Sequence, residues 1–431
     1  MQLAQQRASA IAPAPASAQC GVMGFRFVHT ADLHLDSPLR SLALRDADLA
    51  ELIADASRTA LRNIVSLCLA EQVDALLIAG DLYDGNQTSM KTARFLAAEL
   101  ARLDQAGIRC FIIRGNHDAE SLITRELTFP PSTHVFTGRA GVEIMEARPR
   151  RVAIHGLSFR DRHAPESLLP KYRLPEPDAL NIGLMHTSLG GAAGHDLYAP
   201  CALADLQGSG FDYWALGHIH KRLDYPAPAI GQSHVTMPGI PQGRDIGEAG
   251  AGSVTLVQID DAGRITTEAR VVALAGFALV CVDVRGLEQW GDLRNAIARA
   301  LEDARLPCPH LVARLVLRGS TVLATRLRRD RDLALAEAQE IARGLGGIWV
   351  EQLVLDLGSE QPRSGALGDL AALIESDILP SPAYALALEE MRAALETALP
   401  PETRKEIAEF PDAMIHDGVA EILAQLRGQM P

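Results

Sequence analysis

The sequence predicts a layered α/β protein with two β-sheets, a smaller βαβαβ domain after it, and a helical tail. Three observations predict this. Strand-like and helix-like runs alternate from Phe25 to Ile113. After Pro130 the helical period fades, and short strand-like runs follow one another. Near Ala275 the alternation returns, without the polar clusters that mark the first part.

The elements follow from spacing. Phe25–His29 reads as a strand that stops at ThrAlaAspLeuHis. Leu49, Leu52, Ile53, Ala56, Ala60, Ile64 and Leu67 recur at helical spacing. Ala75–Ala79 is a short apolar run that ends at a glycine. Thr88 and Ser89 are candidate caps for a helix burying Ala93, Leu96, Leu100 and Leu103. Cys110–Ile113 runs into ArgGlyAsnHisAsp. Strands are then expected at Val152–His155, Ile182–His186, Tyr213–Leu216, Val235–Met237, Ser253–Ile259 and Ile265–Val272, the economical arrangement being a second sheet packed on the first. Phe277–Val284, Asp292–Ala304, Leu311–Leu317, Thr321–Leu345 and Ile348–Leu355 form the βαβαβ unit. The expected division is therefore a disordered leader over 1–22, a catalytic domain over 23–275, a small domain over 276–358 and a helical region over 359–431, with a linker from Gly358 to Gly365. Met23 stands directly before the first strand and is a candidate translation start. The leader lacks the apolar stretch of a secretory signal.

Composition narrows the function classes. The chain has 431 residues, 48 % of them hydrophobic, and no apolar run long enough to span a membrane. Its net charge of −13 argues against gripping nucleic acid through bulk positive charge. Bound divalent cations would invert that sign locally, so a nuclease stays open, with a partner supplying much of the grip. None of the six cysteines forms a CxxC pair, which points to reduced, mostly core thiols in a cytoplasmic protein.

The chemistry gathers around Asp81, in AspAlaLeuLeuIleAlaGlyAspLeuTyrAsp. A carboxylate has two oxygens and can serve two cations. Four further clusters each follow a strand-like run: Asp32 with His34, Asn116 with His117, His186, and His218 with His220. Residues two apart on an extended chain point the same way, which would bring Asp32 to the side of His34 and His218 to the side of His220. Read singly, each has an ordinary meaning: Asp81 a turn residue, His186 a hydrogen-bonded core histidine. Together they are specific, because open α/β sheets bind ligands at the carboxyl ends of their strands. Carboxylate, imidazole and amide without thiolate suit Mn²⁺ or Fe²⁺, or Zn²⁺, over a structural zinc site.

HisThrAlaAspLeuHisLeuAspSerPro, AlaGlyAspLeuTyrAsp, ArgGlyAsnHisAsp, MetHisThrSer and GlyHisIleHis resemble the five signatures of the calcineurin-like metallophosphoesterases. GlyHisAspLeuTyrAlaProCys (194–201) and ProGlyIleProGlnGlyArgAsp (238–245) are similar to the SbcD-type DNA repair nucleases, in particular the YhaO-like branch. The resemblance covers about residues 23–275. It implies a four-layer α/β/β/α metallophosphoesterase sandwich with a small α+β capping domain and a helical C-terminal tail that docks a partner. It also implies two divalent ions, Mn²⁺ first among them. Asp32, His34, Asp81 and His220 would hold one ion, and Asp81, Asn116, His186 and His218 the other. His117 would be the catalytic histidine, with Asp118 orienting its ring, in an in-line hydrolysis where the ions clamp the phosphoryl oxygens. The implied partners are DNA and an SMC-like coiled-coil ATPase, with a homodimer possible.

Several readings stay open. Asp84 either supports the site or closes its turn. Arg244 contacts a substrate phosphate or forms a surface salt bridge. His195 is expected to be no ligand, and His29, His155, His163, His234, His310, Trp214 and Trp349 are expected to be structural. The small domain selects DNA shape, or serves stability or dimerisation. The leading function is a DNA exo- or endonuclease in repair. The alternatives are a phosphoesterase for small phosphodiesters such as cyclic nucleotides, which shares every ligand, and a non-catalytic scaffold protein.

Overall fold

In the computed structural model the described residues are 24–37, 47–84, 89–118, 128–147, 150–160, 164–190, 198–357, 366–398, 418–419 and 422. The leader, the linker Gly358–Gly365, Thr88, His163 and His195 lie outside them, as does most of the helical region after Ala398.

Along the chain run β1 (Phe25–Thr30), α1 (Ala47–Ala54), α2 (Ala56–Ala70), β2 (Ala75–Ala79), α3 (Met90–Gln105), β3 (Arg109–Ile113), β4 (Thr133–Val135), β5 (Gly141–Ala147), β6 (Arg150–Gly156), β7 (Ala179–His186), α4 (Leu203–Gln207), β8 (Tyr213–Gly217), β9 (Leu223–Tyr225), β10 (His234–Met237), β11 (Ser253–Ile259) and β12 (Ile265–Val271). After them come β13 (Ala275–Asp283), α5 (Trp290–Asp303), β14 (His310–Gly319), α6 (Ala324–Arg329), α7 (Arg331–Leu345), β15 (Ile348–Leu357), α8 (Ala366–Leu373) and α9 (Pro382–Ala398). Two expected helices are each split in two. Asp55 separates α1 from α2, and Asp330, with ψ at 40°, separates α6 from α7.

The chain divides into two compact units. One holds 1–33, 64–239 and 254–270; the other holds 34–63, 240–253 and 271–431. The first contains two six-stranded sheets, ordered β12-β11-β1-β2-β3-β4 and β5-β6-β7-β8-β10-β9. In the first sheet β1, β2, β3 and β4 run parallel, so their carboxyl ends, and the loops after β1, β2 and β3, share one edge. In the second, β6, β7 and β8 do the same. Alternate side chains from the two sheets meet in one core: Phe27, Leu77, Ala79, Phe111 and Ile113 face Ile154, Ile182, Leu184, Tyr213 and Ala215. Burying such side chains contributes roughly 1.5–3 kcal/mol each. β2 is buried along its whole length, which is why it reads as an unbroken apolar run. Outside the first sheet α3 turns Ala93, Leu96 and Leu100 inward, and its start is capped by Ser89, whose hydroxyl accepts the Thr92 N–H at 3.1 Å. Outside the second, Trp214, Leu216, Met185 and Val235 pack with Leu206 of α4. This is the α/β/β/α layering expected.

The second unit carries a parallel sheet, β13-β14-β15. Leu293, Ile297 and Leu301 of α5 and Ala334, Ala338 and Ala342 of α7 cover one face of it. Gly346, at φ 72°, stops α7 in the left-handed conformation that glycine tolerates. In the tail, Leu386 and Met391 of α9 are exposed, as is Leu373 of α8. Of the thiols expected to be mostly in the core, Cys68, Cys110 and Cys201 are buried and free, but Cys281 is exposed on β13.

Candidate metal centre

The first unit brings the expected ligands together where strands end. Asp81 follows β2, Asn116 and His117 follow β3, His186 ends β7, and His218 follows β8. One ligand atom each from Asp81, His186 and His218 lies within 4.8 Å of the other two. Asp81 Oδ2 is 3.3 Å from His186 Nε2, and Asn116 Oδ1 is 2.9 Å from the same nitrogen. Asp32, after β1, accepts the His218 N–H with both carboxylate oxygens, at 3.1 and 3.0 Å. His220 acts on Asp32 electrostatically. His34 belongs to the second unit, the division falling just after Leu33, and is buried there.

The chemistry of His186 tests whether these residues fit a cation. Its Nδ1 donates to Ala79 O at 2.9 Å, so that nitrogen carries a proton. Nε2 then faces two oxygens. That geometry calls for positive charge, as a proton on the ring or a cation beside it. Burial would lower the pKa of His186, yet the charge and hydrogen bond of Asp81, backed by Asp32, carry it up to about 9. Burial pushes the Asp32 carboxyl up, against the pull of His220 and His186. With two buried carboxylates, two imidazoles and an amide, the donor set fits a hard divalent cation.

Three glycines make the approach possible. A Cβ on Gly115 would lie 2.1 Å from Asp81 Oδ1; on Gly80, 2.5 Å from His186 Nδ1; on Gly217, 2.1 Å from Ala79 O. Gly80 thus makes room for the His186 ring.

The alternation argument for Asp32-Leu33-His34 does not hold. Asp32 has φ 53° and His34 φ 40°, so neither is extended, and His218, at φ 104°, is not in a strand. Turns, not pleats, aim these side chains.

The partner of His117 also differs from expectation. Asp118 is buried and accepts N–H groups from Gly115, Leu82 and Tyr83 at 3.0, 3.1 and 3.1 Å, tying the two ligand loops together. Burial and the Asp81 charge push its carboxyl up to about 7. The carboxylate on the His117 ring is Asp84, 2.9 Å from Nδ1. The His117 N–H donates to Asp81 Oδ1 at 3.1 Å, and its ring is half-buried. Of the two readings of Arg244, a substrate phosphate or a salt bridge, the structure shows the salt bridge: Glu248 clamps it, with Nη2 2.6 Å from Oε1 and Nε within 3.2 Å of both oxygens.

Two neighbours were not singled out from sequence. Phe159 meets the His186 ring edge-on at 5.7 Å, and Tyr198 meets His218 at 5.2 Å. Phe159 closely follows β6, so the strand-end rule that found the ligands would also have found it. Of the histidines read as structural, His29 bonds Tyr213 and Leu216, His155 bonds Asn181, and His234 bonds Asp224. Trp214 is fully buried.

Comparison with known proteins places the chain in a family. The calcineurin-like phosphoesterase family matches residues 25–222, and the middle domain of metallophosphoesterase YhaO matches 277–358. The protein described as "Uncharacterized metallophosphoesterase YhaO" of Bacillus subtilis is 33 % identical over 299 residues, 68 % of this chain and 72 % of that one. The DNA double-strand break repair protein Mre11 of Methanocaldococcus jannaschii is 26 % identical over 203 residues, 46 % of this chain and 52 % of that one. The SbcD component of the SbcCD nuclease of Rhodobacter capsulatus is 32 % identical over 170 residues, 37 % of this chain and 38 % of that one. The chain therefore spans about half or less of the latter two. It belongs to the calcineurin-like metallophosphoesterases, in the family of YhaO, and is related to the Mre11 and SbcD nucleases.

Proposed function

We propose that this chain hydrolyses phosphodiesters with two divalent cations, Mn²⁺ foremost, and that its substrate is DNA. The observation that carries the proposal is Asp81, a buried carboxylate set against His186 and beside His218, with Asn116 on the same ring nitrogen. Asp32 and His220, with His34 two residues along the chain, would hold one cation. Asn116, His186 and His218 would hold the other, and Asp81 would serve both. When bound, the cations supply Lewis acidity at phosphorus and lower the pKa of water.

The chain's own groups do the rest. Asp84 accepts the His117 Nδ1–H and orients the ring, so Nε2 is the atom that delivers a proton to the leaving oxygen. Asp118 holds the Gly115 and Leu82 loops in register, and is a positioning residue.

The DNA reading is supported by the Mre11 and SbcCD relatives. A net charge of −13 supports a second chain that supplies the grip on DNA, an SMC-like ATPase docking on the exposed apolar side chains of α8 and α9. The same charge favours one rival reading, a small phosphodiester as substrate. Purified protein with Mn²⁺ would be assayed on linear duplex DNA and on bis-p-nitrophenyl phosphate. Cleavage of both supports the nuclease, and turnover of the small ester alone selects the rival. Inactivity on both, with metal bound, refutes the enzyme.

A further inference from the structure

A cavity of about 490 Å³ lies against the metal centre, in the size range of small-molecule sites. Phe159 is the shared wall. It lines the cavity and meets the His186 ring. Its N–H donates to Arg114 O at 3.0 Å, immediately before the Gly115-Asn116 loop. Its lining is mixed: the buried side chains of Leu157, Phe159 and Leu168 stand beside Ser158 and the charged side chains of the rim. The rim is cationic in balance, Arg160 and Lys171 against Glu166. Arg160 is held in place: its Nε–H donates to Gly138 O at 2.7 Å, and a Cβ on Gly138 would lie 2.2 Å from its Cγ.

We propose that this cavity takes the base of the nucleotide next to the phosphodiester being cut, with Arg160 and Lys171 on its phosphate. The proposal rests on the phosphodiesterase reading above. A chamber beside a phosphodiester site that joins aliphatic and aromatic side chains to cationic ones suits a phosphodiester that carries a flat ring next to its phosphate. Nucleotides do, and aromatic walls and guanidinium groups suit both bases and phosphates.

The test uses the full chain. Titration calorimetry would compare 2′-deoxyadenosine 5′-monophosphate with 2-deoxyribose 5-phosphate on the wild type, the Arg160→Ala/Lys171→Ala variant and Glu166→Ala. The nucleotide should bind at least tenfold more tightly than the sugar phosphate, and at least tenfold more weakly to the double variant. Glu166→Ala should bind it more tightly, a gain that misfolding cannot imitate. The ratio of kcat/KM on a single-stranded oligonucleotide to that on bis-p-nitrophenyl phosphate should fall at least tenfold in the double variant. Equal binding of nucleotide and sugar phosphate, or wild-type affinity in the double variant, overturns the proposal even if DNA is cut. Arg160-dependent nucleotide binding without turnover of either ester would instead support the cavity and sink the phosphodiesterase reading.

Discussion

Gly115→Ala isolates the geometry of the centre with one methyl group. The added Cβ would sit 2.1 Å from Asp81 Oδ1 and 2.7 Å from the Asp81 backbone nitrogen. Side-chain Cβ contacts essentially never fall below 3.0 Å, so Asp81 or the loop must move by about 1 Å. Rotating the carboxylate does not clear the backbone nitrogen. The same oxygen accepts the His117 N–H, so the shift carries the proposed acid with it. A misplacement of about 1 Å costs on the order of 100-fold in rate, and overpacking costs roughly 1–3 kcal/mol of stability. The expected result is a loss of about 100-fold in Mn²⁺-dependent hydrolysis of bis-p-nitrophenyl phosphate, with reduced bound metal by mass spectrometry and a melting temperature lowered by several degrees. Gly344→Ala is the control. It lies in α7 with nothing within 4 Å of the new methyl, and should be neutral or stabilising by up to about 1 kcal/mol. Activity of Gly115→Ala within twofold of wild type would refute the view that Asp81 works only where it now stands.

Other outcomes follow from the same contacts. His117→Gln should keep its metal and lose most turnover, whereas Asp81→Asn should lose metal; metal analysis beside kinetics separates them. Asp84→Ala removes the acceptor that orients the His117 ring, so kcat should fall at least tenfold with bound metal unchanged, and an unchanged kcat would leave Asp84 a mere turn residue. Asp118→Asn puts an amide where three N–H groups converge; it should lower the melting temperature as well as activity, and unchanged melting would refute its loop-tying role. Burial holds His29 at about 3, below its ordinary 6.5, so the unfolded chain binds that proton first and stability falls as pH drops below about 6.5. The slope is about 1.4 kcal/mol per pH unit; urea titrations from pH 7 to 5 should show a shallower loss in His29→Gln than in wild type.

The strands were legible because each has a physical signature. Ala75–Ala79 is apolar throughout since both faces are covered, and it ends where Gly80 frees the chain. β4, β5 and β9 were not foreseen. β4 and β9 are three residues each, and β5 is half-buried along most of its length, so none shows a clean period. The site residues were found by their place after strands, but their orientation was not. Sequence order suggested that Asp118, adjacent to His117, would serve its ring. The turn at 116–118 sends that carboxylate back to Leu82 and Tyr83, and Asp84, from the loop after β2, takes its place. Spacing along a chain says nothing about a turn's handedness, and here the turns do the aiming.

Those turns explain why aspartates recur. Asp32 and Asp81 sit at φ 53° and 51°, and His218 at 104°. Non-glycine residues held there cost of order 1–3 kcal/mol each unless their surroundings fix them. Glycine would relieve the strain but would bring no ligand. Aspartate tolerates left-handed backbone better than most residues, and its second oxygen can secure a neighbouring loop. Asp32 accepts the His218 N–H, and Asp81 accepts the His117 N–H. Each carboxylate therefore fixes the backbone of a histidine in the same cluster as well as offering charge to a cation. The loops and the ligands are one construction, so the strain at one strand end is offset by hydrogen bonds from the loop after another strand. An alanine at Asp32 or Asp81 would remove ligand and loop support together, whereas asparagine leaves an acceptor oxygen and takes away the charge alone.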